Sequence, residues 1–600
     1  MIRTDIINKI GRDYLISNIE NGEFSYKKAL SDIGKNIEDY VLPDSKQVHQ
    51  FLDLRFADDK LSILIETKDN FDKWNTVEIQ NQLQQYVNYE KELTNNKIVA
   101  ILANTNDSRI RVWYGDDIKI DLDYYVTNER KLKSFKEYEQ IYFSTENNKL
   151  KVIQNTYDLN ELLHKYGINE KIRSQFVGTC LLALKNGLNY ENLDTSQIIA
   201  GIRNNLERLL NNNLNKSQKI VLLDQNVLNS QDVRELSNNQ MQEIVSTIKN
   251  NILPFINDQN TQGQDLLNLF FTTFNKYVGK TDKNQAFTPD QITQFMCHVV
   301  NVNRHSRVLD PCCGSGAFLV RAMTEAMDDC DTQEEKDEIK GSHIFGIEYE
   351  DVAFGLSTTN MLIHGDGNSN IVQGSMFDKE DWINKANIDT VLMNPPYNAT
   401  RKQSLPEYVK TWNKKITTDP SKGFHYVYYI SHLLKKGRLA VLLPMQCAIG
   451  ASGDVKMFKE KMLEENTLDA VFSLPSDMFY PGANAVACCM VFTLGVRHNP
   501  NKKTFFGYFK DDGFEKRKNL GRVEKYENAW RETEKKWLDL YFNKKDEIGF
   551  SINKEVTAND EWLAEAYMET DYSTLNKGDF QKVLNQYIGY LMSNGGNFND

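Results

Sequence analysis

Between residues 281 and 500, short apolar runs alternate with helix-length segments. The runs are Arg307–Leu309, Ile344–Ile347, Thr390–Met393, Leu439–Leu443, Ala470–Leu474 and Val486–Leu494. Runs this short and this apolar suit strands buried on both faces, and a helix-length connection after a strand implies a parallel crossover. Few architectures accept that alternation over so long a stretch. A doubly wound, largely parallel sheet with helices on both faces is the expectation. In such a sheet ligands sit beyond the carboxyl ends of the strands, so chemistry is sought at the strand ends.

Three of these ends carry it. The first strand runs into Asp310-Pro311-Cys312-Cys313-Gly314-Ser315-Gly316 before a helix begins. Gly314 and Gly316 let the backbone pass close to a ligand and adopt φ values that other residues resist, and the helix start adds free N–H groups. Dinucleotide folds and plain tight turns also use glycine, although Asp-Pro in front is not the G-x-G-x-x-G phosphate fingerprint. The second strand ends at Gly346-Ile347-Glu348. An acid there can accept from ribose hydroxyls, though Glu348 alone could equally be a solvated loop carboxylate. The third leads into Asn394-Pro395-Pro396-Tyr397, where two prolines end the ladder and hold the chain rigid. The Asn394 side chain and the Pro395 carbonyl could both accept from an exocyclic amine, and the Tyr397 ring could stack on a base.

Residues 1 to about 140 read as mixed α/β. Two strand-like runs, Val48–Phe56 and Leu61–Glu66, flank a turn at Ala57-Asp58-Asp59-Lys60; a helix over Val77–Leu93 and runs at Lys97–Ala103 and Ile110–Tyr114 follow. With the turn centred on Asp58-Asp59, Asp53 falls opposite Leu64, and the period-2 rule puts Asp53, Glu66 and Lys68 on one face. Two carboxylates so placed can hold Mg²⁺ through oxygen ligands, with a lysine to orient the attacking water. E-x-K by itself carries nothing, since it recurs at Glu334–Lys336, Glu338–Lys340 and Glu534–Lys536 in charged stretches. Gln82 and Tyr86 form Q-x-x-x-Y on the helix, and Gln85 and Tyr89 form a second frame.

From about 150 to 280 the chain is helical and asparagine-rich, and the last hundred residues read as charged helix. At roughly 150 residues per domain, 600 residues suggest about four units. A chain 40% hydrophobic and 26% charged is neither collagen, nor wholly disordered, nor a disulfide-stapled mini-domain. Apolar stretches such as Val486–Val496 fall short of the roughly 20 residues of a membrane span. The N-terminus lacks an apolar signal core, and the eight cysteines show no metal-ligand spacing, so no membrane and a reducing cytoplasm are expected. A net charge of −12 argues against a surface basic throughout but allows a local basic cleft.

Asp-Pro-x-x-Gly-Ser-Gly followed by Asn-Pro-Pro-Tyr resembles the amino-methyltransferases of DNA, with the cofactor motif ahead of the catalytic one. Gln285-Ala286-Phe287-Thr288-Pro289 and Ser473-Leu474-Pro475-Ser476-Asp477-Met478-Phe479 sharpen this to a resemblance to the modification subunit of type I restriction systems, over about residues 155–500. The resemblance implies S-adenosylmethionine-dependent methylation of adenine N6 in double-stranded DNA. On it, Phe287, Thr288 and Pro289 would lie along the cofactor's methionine, Asp310 with Cys313, Gly314, Ser315 and Gly316 would hold its amino-acid end, and Glu348 its ribose. Asn394 and the Pro395 carbonyl would aim the amine lone pair at the sulfonium methyl for in-line transfer, with no covalent enzyme intermediate. Tyr397 would stack on an adenine flipped from the duplex. Where the family often has an Asp beside the cofactor adenine, this chain has Gly374-Ser375-Met376-Phe377, which leaves the adenine contact open among Ser375, Met376 and, as a substitute acid, Asp378.

Residues 30–115 resemble the nuclease domain of type I restriction subunits and of RecB-like nucleases. This implies a PD-(D/E)xK core of Asp53, Glu66 and Lys68, an accessory pair Gln82 and Tyr86, and Mg²⁺ on Asp53 and Glu66, with Glu38 as a weaker further ligand. No G-x-x-x-x-G-K-[ST] loop is present, which speaks against ATP-driven translocation. With only about 100 residues after the methyltransferase region, the combination resembles the cleavage-and-methylation subunit of type IIB restriction systems, which works with a separate specificity subunit. The expected architecture is α/β multidomain: a PD-(D/E)xK nuclease at 1–140, a helical connector or DNA clamp at 141–280, a Rossmann-like methyltransferase at 281–500, and a helical C-terminal region at 501–600 that docks the specificity subunit. A hetero-oligomer with more than one copy of this chain is implied. The alternative is a methyltransferase-only subunit with an inactive nuclease-like domain.

Overall fold

The computed structural model of the protein describes residues 3–42, 47–69, 76–106, 109–114, 118, 120, 132–143, 146–210, 216–256, 288–364, 370–480, 485–517, 521–526, 528–569, 577–578, 580–581, 584–585 and 587. Gln285, Ala286 and Phe287 lie outside them. Two compact units emerge: one from Met1–Leu209, Leu223–Phe274 and Thr324–Asp337, the other from Leu210–Leu222, Asn275–Met323 and Glu338–Asp600. Among the described residues no helix is long and apolar enough to cross a membrane.

In the first unit, β1 (Leu15–Ile16), β4 (Leu54–Ala57), β5 (Leu61–Lys68), β6 (Lys97–Asn104) and β7 (Ile110–Tyr114) form a five-stranded sheet in that order, while β2 (Phe24–Ser25) pairs with β3 (Phe51–Leu52). β5 lies between β4 and β6, which pair both its edges, and a packed layer on each face lets its apolar residues run without alternation. Leu64 joins Leu83 and Val87 of the helix Thr76–Leu93. Ile63 and Ile65 face the other way, into a layer with Ile6, Ile10 and Phe135. Each such side chain is worth roughly 1.5–3 kcal/mol when fully buried, and a one-residue slip would carry Glu66 into the Ile63 layer, so the register is strongly held.

Two details of the predicted hairpin change. The run Val48–Phe56 is broken at Asp53, because Phe51–Leu52 turns aside to pair with β2. Leu54 pairs with Ile65 and Arg55 with Leu64, two residues from the predicted register. The Asp58 carboxylate accepts from the Lys60 and Leu61 N–H groups and so resets the turn. An even shift keeps side-chain parity, and Asp53 stays on the Glu66 side of the sheet. The described residues of the middle region are largely helical, with helices over Glu146–Lys165, Glu170–Lys185, Thr195–Leu209 and Asn238–Thr247. Thr195–Leu209 buries Ile198, Ile202 and Leu206 at helical spacing, and Ser237 with Gln240 closes a capping box on the last.

Among the described residues the large sheet of the second unit has nine strands: β8 (Val308–Asp310), β9 (Ile344–Glu348), β10 (Asn370–Gln373), β11 (Thr390–Met393), β12 (Arg438–Pro444), β13 (Thr467–Ser473), β14 (Ala487–Thr493), β15 (Lys503–Tyr508) and β18 (Ser551–Glu555). Their order is β10-β9-β8-β11-β12-β14-β13-β15-β18. β14 is antiparallel to β12 and β13, and β18 to β15; the other pairs are parallel. The order reverses between β8 and β11, which places a ligand crevice at their carboxyl ends.

This sheet corrects the predicted boundary at residue 500 and the helical C-terminal tail. β15 and β18 hydrogen-bond into the sheet, and β16 (Phe514–Arg517) and β17 (Gly521–Glu524) form a hairpin before the helix Ala529–Phe542. Phe505 and Phe506 in the middle of β15 are fully buried and β18 has Ile552 as its one apolar residue, whereas the strand ends at Lys503, Lys554 and Glu555 are solvated.

Candidate active sites

At the switch point of the large sheet lies a cleft of about 360 Å³. Asp310 ends β8 almost fully buried, and its Oδ1 accepts the Cys312 N–H at 3.0 Å. The glycine turn folds against the neighbouring strand: the Cys313 N–H donates to the Ile347 carbonyl at 3.0 Å, and the Gly314 N–H to Glu348 Oε2 at 2.7 Å. Gly314 and Gly316 have φ of +53° and +83°. A Cβ on Gly314 would meet open space, whereas one on Gly316 would sit 3.3 Å from Ser357 Cβ. One glycine therefore leaves the cleft clear and the other lets the turn pack on the helix Asp351–Ile363.

Glu348 is tied down at both oxygens, since Oε1 also accepts the Glu350 N–H at 2.8 Å. Burial pushes the carboxyls of Asp310 and Glu348 up from their ordinary values, and the Glu348 charge adds to the rise at Asp310. Two acids under that strain fit a ligand that brings positive charge. Ser315, Gly374, Ser375 and Met376 also line the cleft. Asp378 is exposed and outside the lining, which removes it as the substitute adenine contact; Ser375 spends its hydroxyl as acceptor for the Phe377 N–H.

Across the cleft, β11 delivers Asn394, Pro395, Pro396 and Tyr397. Asn394 Nδ2 donates to Thr288 Oγ1 at 3.1 Å. Thr288 and Pro289 immediately precede the helix Asp290–Val299. Tyr397 has its ring at the cleft while its hydroxyl is buried with no hydrogen-bond partner among the described residues. Burial raises that phenol's pKa, with Cys488, Cys447 and Cys489 nearby. Behind the loop, Gly423, at φ +92°, would place a Cβ 3.1 Å from Pro395 Cγ. Its N–H donates to Asp419 Oδ2, which His425 Nδ1 also approaches at 3.0 Å.

In the first unit, Glu66 is 5% exposed. Its Oε1 accepts from Lys68 Nζ at 2.8 Å and from Gln82 Nε2 at 2.7 Å, while Oε2 is buried without a hydrogen-bond partner among the described residues. Asp53 Oδ2 accepts from the Thr67 N–H and hydroxyl at 2.7 and 2.6 Å. Burial, with Asp53 beside it, pushes the Glu66 carboxyl up to about 7. Gln82 also donates to the Tyr86 hydroxyl at 3.0 Å, and Tyr86 to the Phe51 carbonyl at 2.5 Å. The structure therefore brings Glu66, Lys68, Gln82 and Tyr86 together. Gln85 and Tyr89, the second frame, bond instead to each other and to Gln47 and His49 backbone. Glu38 is exposed on the short helix Ile37–Tyr40. Among the described residues no group of three His, Cys, Asp or Glu side chains could hold a metal ion.

Sequence reasoning missed Gln403 and Tyr426, which line the cleft from the segment between β11 and β12. Tyr426 donates to the Gln403 carbonyl at 2.5 Å. Neither sits in a motif; only their place just after the Asn-Pro-Pro-Tyr loop could have marked them. It also missed the buried Arg55–Glu90 pair at 2.6 Å, joined by the Tyr26 hydroxyl, which ties the Gln82-bearing helix to β4.

The N-6 DNA methylase family profile matches residues 262–573. The type II restriction enzyme and methyltransferase RM.BcgI of Heyndrickxia coagulans is 30% identical over 335 residues, 54% of this chain and 49% of its own length. The type I restriction enzyme EcoEI methylase subunit of Escherichia coli is 27% identical over 228 residues, covering 37% and 44%. The chain spans about half the length of the curated relatives it matches. The solved methyltransferase subunit of a type I restriction–modification system from Streptococcus thermophilus aligns over 68% of this chain and 96% of its own, with 16% identity and a TM-score of 0.45.

Proposed function

The chain belongs to the N-6 DNA methylase family, whose profile spans just over half of it, and on that premise we propose that it methylates adenine N6 in double-stranded DNA as a subunit of a restriction–modification system. The observation that carries this reading is Asn394, held at the tip of β11 across the switch point from Asp310. Asp310, buried, suits the cationic amino-acid end of S-adenosylmethionine, with Gly314 and Ser315 beside it, Glu348 its ribose, and Ser375 and Met376 its adenine. When bound, the cofactor supplies the activated methyl group. Asn394 Oδ1 and the Pro395 carbonyl accept from the two amine hydrogens and so aim the nitrogen lone pair, while the Tyr397 ring stacks on the base. Positioning and fixed dipoles carry the rate, and no residue is alkylated.

The first unit supports a second activity, Mg²⁺-dependent cleavage of unmodified DNA. Asp53 and Glu66 would hold the ion, for which the buried Glu66 Oε2 is an acceptor in place. Mg²⁺ would supply Lewis-acid chemistry at the phosphodiester. Lys68 and Gln82 fix the other Glu66 oxygen and keep the carboxylate aimed. RM.BcgI carries both activities in its name. A cytoplasmic hetero-oligomer with a separate specificity subunit, more than one copy of this chain, and a helical region at 141–280 that clamps DNA or joins subunits complete the reading.

The test incubates the chain, with and without its specificity subunit, on DNA with Mg²⁺ and labelled cofactor. Labelled adenine lost in Asn394→Ala, together with cleavage lost in Glu66→Ala while methylation persists, supports two centres. Cleavage absent under every condition leaves a methyltransferase-only subunit, and methylation surviving Asn394→Ala sinks the catalytic assignment.

A further inference from the structure

A carboxamide has an acceptor end and a donor end, and its terminal torsion is broad and nearly two-fold. Asn394 can serve a base amine only with Oδ1 forward; turned over, it would set a donor against a donor. Its Nδ2 donates to Thr288 Oγ1 at 3.1 Å, and its Oδ1 takes no hydrogen bond from the described residues. Thr288 is a steady mount. It is 8% exposed, and the helix after it is held by Arg321 on Asp290 and by the Trp530 indole N–H on Gln294 Oε1 at 2.8 Å.

A hydroxyl both donates and accepts, so Thr288 selects one amide orientation only when its own proton is engaged elsewhere. Thr288 lines the same cleft as Asp310 and the glycine turn. A ligand carboxylate there would take that proton and leave Oγ1 as a pure acceptor. We infer that Thr288 is a positioning residue for methyl transfer, its hydroxyl fixing the Asn394 amide with Oδ1 toward the substrate amine once the cofactor's carboxylate has engaged its proton. This rests on the methyltransferase reading and extends it: cofactor occupancy readies the catalytic amide.

Thr288→Val keeps the shape and removes the hydroxyl, while Thr288→Ser keeps the hydroxyl. Turnover at saturating S-adenosylmethionine should fall about 10- to 100-fold in Thr288→Val, the scale of a misplaced reacting group, and stay within about threefold of wild type in Thr288→Ser. The Kd for S-adenosylmethionine by calorimetry should rise about tenfold or more in Thr288→Val, which loses the donor to the carboxylate, and change little in Thr288→Ser. Unchanged kcat in Thr288→Val overturns the inference, as does a loss confined to cofactor affinity. Neutron crystal structures with bound S-adenosylmethionine, which tell the amide nitrogen from its oxygen, read the orientation without turnover. An Asn394 amide that keeps its wild-type orientation and order in Thr288→Val overturns the inference, and a disordered or turned amide supports it. A wild-type complex that transfers no methyl would sink the functional reading instead, and the crystal result would still decide this one.

Discussion

Replacing Glu66 by glutamine removes a charge that the first unit carries at a cost. Burial and the neighbouring Asp53 raise its carboxyl from the ordinary 4.5 to about 7. Between those values the folded protein holds a proton that the unfolded chain has released. Stability therefore falls as pH rises through that window, and the full penalty is in place above it. At about 1.36 kcal/mol per pH unit, the penalty reaches about 3 kcal/mol. Glu66→Gln should accordingly gain about 3 kcal/mol on wild type between pH 4.5 and pH 8. Hydrogen exchange of the β5 amides, taken in both chains across that range and compared at each pH, isolates the effect. A difference between the two chains that stays flat across the window refutes it. The same proton competes with Mg²⁺, so calorimetric Mg²⁺ affinity should drop about tenfold per pH unit below about 7 and level off above it. Affinity indifferent to pH would remove Glu66 from the ion.

Asn394→Ala should lower methyl transfer by at least about 100-fold with cofactor affinity nearly unchanged, since it removes an orienting acceptor and no cofactor contact; calorimetry beside a turnover assay reads both. Tyr397→Phe deletes a buried hydroxyl that has no hydrogen-bond partner among the described residues, so thermal unfolding should show a gain of about 1 kcal/mol with methyl transfer within about threefold. Gly316→Ala forces a Cβ at φ +83° and 3.3 Å from Ser357 Cβ; a loss of about 1–3 kcal/mol and weaker cofactor binding should follow.

The parallel half of the large sheet was legible because strands buried on both faces leave continuous apolar runs. β10 escaped because Asn370-Ile371-Val372-Gln373 holds only two apolar residues between polar ends. β15 and β18 escaped because charged residues mark their solvated ends. The insertion of β14 between β12 and β13 has no local signature, since pairing order is set by tertiary packing. At the sites, contiguous motifs were legible: Asp310, the glycine turn and Asn394 meet in one cleft. The choice between Gln82 and Gln85 was not, for both lie on the same helix and only the buried Arg55–Glu90 pair and the facing strand decide which reaches Glu66. Tyr426 reaches the cleft only through the way its helix packs behind the proline loop.

The last two strands of the large sheet have a cost during synthesis. β18 leaves the ribosome roughly 240 residues after β8. At about 5–20 residues per second, roughly 10–50 seconds separate a finished glycine turn from a finished sheet edge. For about the last third of that interval the outer edge, first of β13 and then of β15, offers unpaired backbone groups, a template on which a neighbouring nascent chain can add a strand. Ribosome spacing and holdase chaperones, rather than the stability of the completed molecule, then govern how many copies escape that pairing.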